Sequence, residues 1–254
     1  MRIGKFGFLN NFLPYYWLEK QGYKTIEANP KEMAKMLGEK IDFAPIPSFH
    51  FLLNKSKLKS YDFCISSKNE VKSVLVVSKN KELDDGSIAL TTHSLTSINL
   101  LKIILKEKGL KNKLVLLNKS KASELLENCN QALVIGDEAI KARMIYKVVM
   151  DLGEEWYELT GYPMVFGISA SLKNFDGSKA NELILKSIDW GLENLDEVVK
   201  AAESKFKMPR EFLEDYFKTL TYKMSSKERK GLELFEVLCN EYGLLHDLCS
   251  KESK

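Results

Sequence analysis

Arginine is scarce in this chain: Arg2, Arg143, Arg210 and Arg229 are the four in 254 residues. A protein that clamps phosphate with several guanidinium forks needs more. Any anion site here rests on backbone amides, hydroxyls or lysine. Histidine and cysteine are equally thin. His50, His93 and His246 with Cys64, Cys129, Cys239 and Cys249 form no C-x-x-C pair and no zinc spacing, so thiols in a reducing compartment are expected rather than disulfides. No apolar run approaches the roughly 20 residues that span a bilayer. The first apolar stretch is broken by Lys5, Asn10, Asn11 and Pro14 and does not read as a signal peptide. A charge excess is missing too: 38 basic and 35 acidic residues leave +3, which argues against a nucleic-acid partner. There is no G-x-G-x-x-G after a strand, no G-x-x-x-x-G-K-[ST] loop and no G-x-S-x-G elbow. The expectation is a cytoplasmic protein, with neither membrane nor nucleic-acid partner, whose site uses no cofactor and no metal.

What is present is ordinary globular composition, 44% hydrophobic and 29% charged, enough for one large domain or two of middling size. Residues 2–6 read as a strand, 12–21 as a helix stopped by Gly22, and 23–28 as extended. Asn29-Pro30 is a helix cap followed by proline at the first helical position, and 41–45 is a third strand. The same βαβαβ order returns in strand 87–90, helix 94–108 stopped by Gly109, strand 113–117, helix 120–128 and strand 132–135. Such alternation predicts parallel strands with right-handed crossovers. The valine-rich run 71–78 and the run 164–170 are read as strands crossing between two lobes, and everything from Asp176 onward as helical. The fold class is α/β, two-lobed and like type II periplasmic binding proteins. Lobe one is 1–78 plus 168–254 and lobe two is 79–167.

Ligands of parallel sheets sit beyond the carboxyl ends of the strands. That rule selects Asn10 after strand one, Ser48 after strand three, Ser73 on the connecting strand, the 91–97 loop, and Gly136 with Asp137. If the lobes face one another, these ends meet in one cleft. Ser94, Thr96 and Ser97 open a helix, where free N–H groups and hydroxyls suit a carboxylate or phosphate. Ser94 is equally well explained as a plain N-cap, Asn10 as a turn residue, Ser73 as a packed hydroxyl and Asp137-Glu138 as helix-start acids. His50 and His93 read as structural or surface residues.

The residues, in order, resemble the MqnA-type chorismate dehydratases of the futalosine route to menaquinone. Phe8-Leu9-Asn10 stands at a Y-L-N motif. Ile41-Asp42-Phe43-Ala44-Pro45-Ile46-Pro47-Ser48 stands at D-x-A-P-V-S-S. Ile65-Ser66-Ser67 and Val71-Lys72-Ser73-Val74 stand at I-S-S…V-x-S-V, and Ser94-Leu95-Thr96-Ser97 at S-x-T-S. Ile135-Gly136-Asp137-Glu138-Ala139 matches I-G-D-E-A. Asp151-Leu152-Gly153-Glu154-Glu155-Trp156 and Thr160-Gly161-Tyr162-Pro163 match D-L-G-E-x-W…T-G-x-P. The resemblance implies a lyase that removes water from chorismate to give 3-[(1-carboxyvinyl)oxy]benzoate, acting as a monomer or homodimer on a small dicarboxylate. It implies Asn10 and Ser73 as catalytic residues and Ser48, Ser66, Ser94, Thr96, Ser97, Gly136 and Asp137 as substrate contacts, with a substrate carboxylate able to serve as base and lobe closure excluding water. Phe8, Pro47, His50 and the turn Lys68-Asn69-Glu70 depart from the family pattern. Two other readings stand beside it: a cytoplasmic small-acid binding protein or sensor, and the related 1,4-dihydroxy-6-naphthoate synthase, for which His93 would be a base.

Overall fold

The computed structural model describes residues 1–91 and 94–245. Its elements are β1 (Ile3–Phe6), a 3-10 turn (Leu9–Asn11), α1 (Phe12–Lys20), β2 (Thr25–Ala28), α2 (Pro30–Met36), β3 (Ala44–Pro47), α3 (Ser48–Leu53), β4 (Leu58–Ser67) and β5 (Val74–Ser78). Then follow β6 (Ile88–Thr91), α4 (Leu95–Glu107), β7 (Leu114–Leu117), α5 (Ala122–Leu126), β8 (Gln131–Ile135), α6 (Gly136–Ala142), β9 (Lys147–Asp151) and α7 (Leu152–Thr160). The chain continues through β10 (Met164–Leu172), α8 (Ser178–Glu193), α9 (Leu195–Phe206), α10 (Arg210–Thr219), β11 (Leu220–Lys223) and α11 (Ser226–Glu241). Both βαβαβ stretches are present, as β1 to β3 and β6 to β8.

Two compact units result. Unit 1 is Met1–Ser67 with Val165–Ser225, and unit 2 is Lys68–Met164 with Ser226–Lys254. This corrects the expected boundaries. Residues 68–78 belong to unit 2, because β5 is an inner strand of its sheet, between β8 and β9. It is not a strand shared by two lobes. Helix α11 also belongs to unit 2. Phe235 meets Trp156 edge to face at 6.0 Å, Gly231 lies directly against the Pro163 carbonyl, and Tyr242 donates to Glu107. The region after Asp176 is not wholly helical either, since β11 pairs with β4.

Unit 2 holds a five-stranded sheet in the order β7-β6-β8-β5-β9. β6, β7 and β8 are parallel, while β5 is antiparallel to β8 and β9. Unit 1 holds the parallel pair β1-β2 and a four-stranded sheet in the order β11-β4-β10-β3, with β10 antiparallel to β3. The strands are therefore not uniformly parallel. β5 and β10 each follow a passage of the chain from one unit to the other, so no helical crossover fixes their direction.

Local chemistry accounts for the element ends. Asn29 accepts from the Glu32 amide at 2.9 Å with Pro30 in the first turn. Gly22 and Gly109 follow α1 and α4 with φ of 85° and 69°, the left-handed conformation that stops a helix at little cost for glycine. The third strand starts later than expected. β3 carries Pro45 and Pro47, tolerated because it is the last strand of its sheet and needs fewer N–H donors. β5 reads Val-Leu-Val-Val-Ser and is buried throughout, as expected of a strand covered on both faces. Leu75, Val77, Ala89, Leu125, Val134 and Ala139 share one core of unit 2. In unit 1, α1 packs on α8, with Gly191 against Leu13 and the Leu18 amide donating to Ser187 at 3.2 Å. No helix among the described residues is long and apolar enough to cross a membrane.

A Cβ on Gly231 would lie 2.0 Å from the Pro163 carbonyl oxygen. Gly231→Ala therefore forces α11 to lift and is expected to cost about 1–3 kcal/mol of unfolding free energy; an unchanged urea midpoint would show that α11 is not seated there. At the start of β1, Asp42 accepts from the Arg2 amide at 2.7 Å and from its guanidinium at 2.6 Å. The Arg2 hydrogen bond holds the Asp42 carboxyl below its ordinary value. A depressed folded value means that this stabilisation is present above the unfolded value of about 3.9 and is lost as pH falls through the folded one. Asp42→Asn is expected to flatten the fall in urea midpoint on acidification below about pH 4; an identical slope in the variant would refute the assignment.

Candidate functional site

Strand register in unit 2 gathers four segments at one sheet edge. β6 and β8 are parallel, with Ala89 beside Ala132 and Leu90 beside Leu133. Their carboxyl ends, and hence residues 94–97 and 136–137, lie on the same side. β5 runs the other way, with Val74 opposite Ile135 and Leu75 opposite Asp151. Its amino end, which carries Ser73, joins that edge, and so does the carboxyl end of β9.

Ser73 is buried. Its hydroxyl donates to the Val71 carbonyl at 3.3 Å, a long bond. Its carbonyl accepts from the Gly136 amide at 2.7 Å. Gly136 has φ 60° and Lys72, just before Ser73, has φ 62°. The conformation is ordinary for glycine and unfavourable for lysine. Asp151 meets this turn. Its Oδ1 accepts from the Val71, Gly153 and Glu154 amides at 3.0, 2.9 and 3.2 Å. Its Oδ2 accepts from the Lys72 amide at 2.8 Å and the Val71 amide at 3.2 Å. Burial pushes the Asp151 carboxyl above its ordinary value, and these backbone N–H groups pull it back. Lys72 Nζ is 3.0 Å from Glu70. Glu154 is raised by burial and by the negative charges of Asp151, Glu158, Glu70 and Glu155.

At α4, the plain capping role of Ser94 is realised. Its Oγ accepts from the Ser97 amide at 3.3 Å and donates to Ser97 Oγ at 2.8 Å. Thr96 and Ser97 are both buried in the first turn. Asp137 is in the first turn of α6, and its neighbour Glu138 accepts from the Ala122 amide at 2.8 Å. Gly136 acts on Ser73 through its own N–H, so that donor is used within the protein. His93 and Cys249 lie outside the described residues; Cys64, Cys129 and Cys239 are not joined by disulfides.

Unit 1 builds a comparable edge. The bridge of Ile3 to Phe43 is parallel, so residues after β1 and after β3 share a side. Gly167 pairs with Pro47. Ile65 lies against Gly167, and Tyr61 Oη bonds Ser171 Oγ at 2.9 Å, so β4 runs antiparallel to β10 and ends on that side too. Asn10 (half-buried), Ser48 and Ser66 (both buried) are thereby brought together on the edge of unit 1, and Ser73, Ser94, Thr96, Ser97, Gly136 and Asp137 on that of unit 2.

Sequence reasoning missed several neighbours. Asn11 is buried. Its Oδ1 accepts from the Phe6 amide at 3.2 Å, and its Nδ2 donates to Asn10 Oδ1 at 2.8 Å, so it orients the Asn10 side chain. The hydroxyls of Ser48, Ser67 and Ser169 are buried with no hydrogen-bond partner in the protein, and buried hydroxyls of this kind call for an explanation. Position in the sequence marks only Ser48 among them. Ser67 belongs to the Ile65-Ser66-Ser67 segment, and nothing marks Ser169. Asp151 is visible in sequence as a helix cap, but its partners Val71 and Lys72 are not.

The sequence model of the menaquinone biosynthesis family matches residues 1–241. The chain belongs to that family. A chorismate dehydratase from Thermus thermophilus is 28% identical over 242 residues, covering 87% of this chain and 88% of that protein. Among solved structures, an Archaeoglobus fulgidus protein superposes with a TM-score of 0.77 at 17% identity, covering 96% of this chain and 97% of the other. The periplasmic aliphatic sulphonate binding protein of Escherichia coli does so with a TM-score of 0.67 at 16% identity, covering 96% and 87%. The fold is of the periplasmic-binding-protein type, as the family resemblance and the element order led one to expect.

Asn11→Ala leaves the buried Phe6 amide unpaired and frees Asn10. It is expected to cost about 1–3 kcal/mol in urea unfolding. A loss smaller than about 0.5 kcal/mol would mean that the bond is not formed.

Proposed function

We propose that the protein is an enzyme, a chorismate dehydratase of the carbon–oxygen lyase class, which converts chorismate to 3-[(1-carboxyvinyl)oxy]benzoate and water. The observation that carries this reading is the match to the Thermus thermophilus chorismate dehydratase over 87% of the chain, inside a family match spanning 1–241. The chemistry of each sheet edge supports it. Each offers neutral amides and hydroxyls in place of arginine forks, which suits carboxylate oxygens held by hydrogen bonds.

In the reaction, a proton leaves the ring carbon that bears the enolpyruvyl ether. The C–H electron pair becomes a ring double bond, and the hydroxyl on the neighbouring carbon departs with a proton as water. Aromatisation drives the step. A carboxylate of the substrate takes the ring proton and hands it to the departing hydroxyl, so that one water leaves in all. With Asn10 Oδ1 engaged by Asn11, the Asn10 amide N–H groups donate to the substrate. Ser73 exchanges its long bond to Val71 for one to a reacting group. Ser48, Ser66, Thr96 and Ser97 hydroxyls and the amides opening α4 bind carboxylate oxygen, with the helix dipole favouring the charge. Ser94, Gly136 and Asp137 complete these contacts chiefly by holding the backbone around them.

Incubation of the purified protein with chorismate is expected to give a new aromatic absorbance and a product lighter by one water. No turnover at any enzyme level would reject the activity. Asn10→Ala and Ser73→Ala are each expected to lower kcat roughly 100-fold or more, the loss typical of a preorganised transition-state donor. Unchanged kcat in either variant would reject that residue's role.

A further inference from the structure

We propose that Asp151 is a positioning residue for Ser73: its carboxylate clamps the Val71 and Lys72 peptides and so holds Lys72 in the left-handed conformation from which the chain enters β5. The catalytic consequence rests on the reading of Ser73 given above; the clamp itself does not.

Three observations carry it. Among the described residues, Lys72 and Lys207 are the two non-glycine residues with positive φ. Lys207 is the residue that ends α9, where a left-handed residue is common. Lys72 ends no helix. It stands between β4 and β5, so something else must hold it there. The second observation is the division of labour within one carboxylate. Capping α7 uses Oδ1 alone, which takes the Gly153 and Glu154 amides. Oδ2 points away from the helix and takes the Lys72 amide at 2.8 Å, its shortest bond. A cap needs no such bond. The third is that Ser73 is fixed on its other side by the Gly136 amide at 2.7 Å. With Val71 and Lys72 held by Asp151, both peptide flanks of Ser73 are anchored, and its hydroxyl has little freedom to drift.

The test is a double-mutant cycle in the full chain, read by chorismate turnover and by amide hydrogen exchange at residues 71 and 72. With lysine at 72, Asp151→Ala is expected to lower kcat roughly 100-fold, the cost of a misplaced reacting group, with KM changed less than about threefold. In a Lys72→Gly background, where positive φ carries no penalty, the same substitution is expected to cost less than about tenfold. Asp151→Asn keeps Oδ1 as cap and replaces the acceptor of the Lys72 amide by a donor. It covers the case in which Asp151→Ala fails to fold, and it is expected to speed exchange at 71 and 72 while leaving α7 intact by circular dichroism. Equal losses of kcat in the two backgrounds, or unchanged exchange at 71 and 72 in Asp151→Asn, would overturn the proposal. If the unsubstituted protein leaves chorismate untouched, the functional reading falls, and exchange at these two amides alone decides the clamp.

Discussion

Amides from two stretches of chain about 80 residues apart converge on one buried carboxylate. Asp151 accepts from Val71 and Lys72 on one side and from Gly153 and Glu154 on the other. Burying an ionised carboxylate is costly unless hydrogen bonds replace its water, and charge-assisted bonds to backbone N–H are the strong kind. The arrangement makes the start of α7 and the start of β5 mutually dependent. β5 in turn lies between β8 and β9, so its position fixes how Ser73 stands against Gly136. Much of the geometry at this edge of unit 2 follows from that single side chain.

Unit 1 uses a smaller version of the same device. Asn11, next in sequence to Asn10, accepts from the buried Phe6 amide and donates to the Asn10 side-chain oxygen Oδ1. In each unit, then, the side chain proposed to meet substrate is flanked by a buried polar group whose own hydrogen bonds are to the protein. Such supporting contacts matter because a reacting contact must be held within a fraction of an ångström. In unit 1 the buried hydroxyls of Ser48, Ser67 and Ser169 have no protein partner, and a hydroxyl can rotate to suit what it meets.

Local order was legible in the sequence wherever a short-range cause decided it. Asn29-Pro30 announces α2, Gly22 and Gly109 announce helix ends, and Ser94 announces the cap of α4, because each effect acts within about one turn. Assignments that depend on distant partners were not legible. The valines of 71–78 mark a buried strand but cannot say which sheet receives it. The pattern of α11 shows an apolar stripe but not that Phe235 would meet Trp156. β11 is four residues, Leu-Thr-Tyr-Lys, and exists through its pairing with β4. The candidate residues follow the same division. Strand ends named Asn10, Ser48, Ser73 and Gly136 as candidates, whereas Asp151 looks like any helix cap.

Likeness to binding proteins shows the fold and leaves open what the site does. The distinction between holding a small acid and transforming it has to be argued from the site. Here Lys72 adopts a conformation that lysine disfavours, immediately before Ser73, and a buried carboxylate whose desolvation is itself unfavourable holds it there. Two unfavourable features thus offset each other beside one hydroxyl. Strain of this kind persists where surrounding structure over-determines it, and it gathers at sites that need a group fixed before the ligand arrives. The proposed elimination of water, in which the reacting groups must be aligned as the C–H and C–O bonds break, has that need, and so does a clamp on an unreacting ligand.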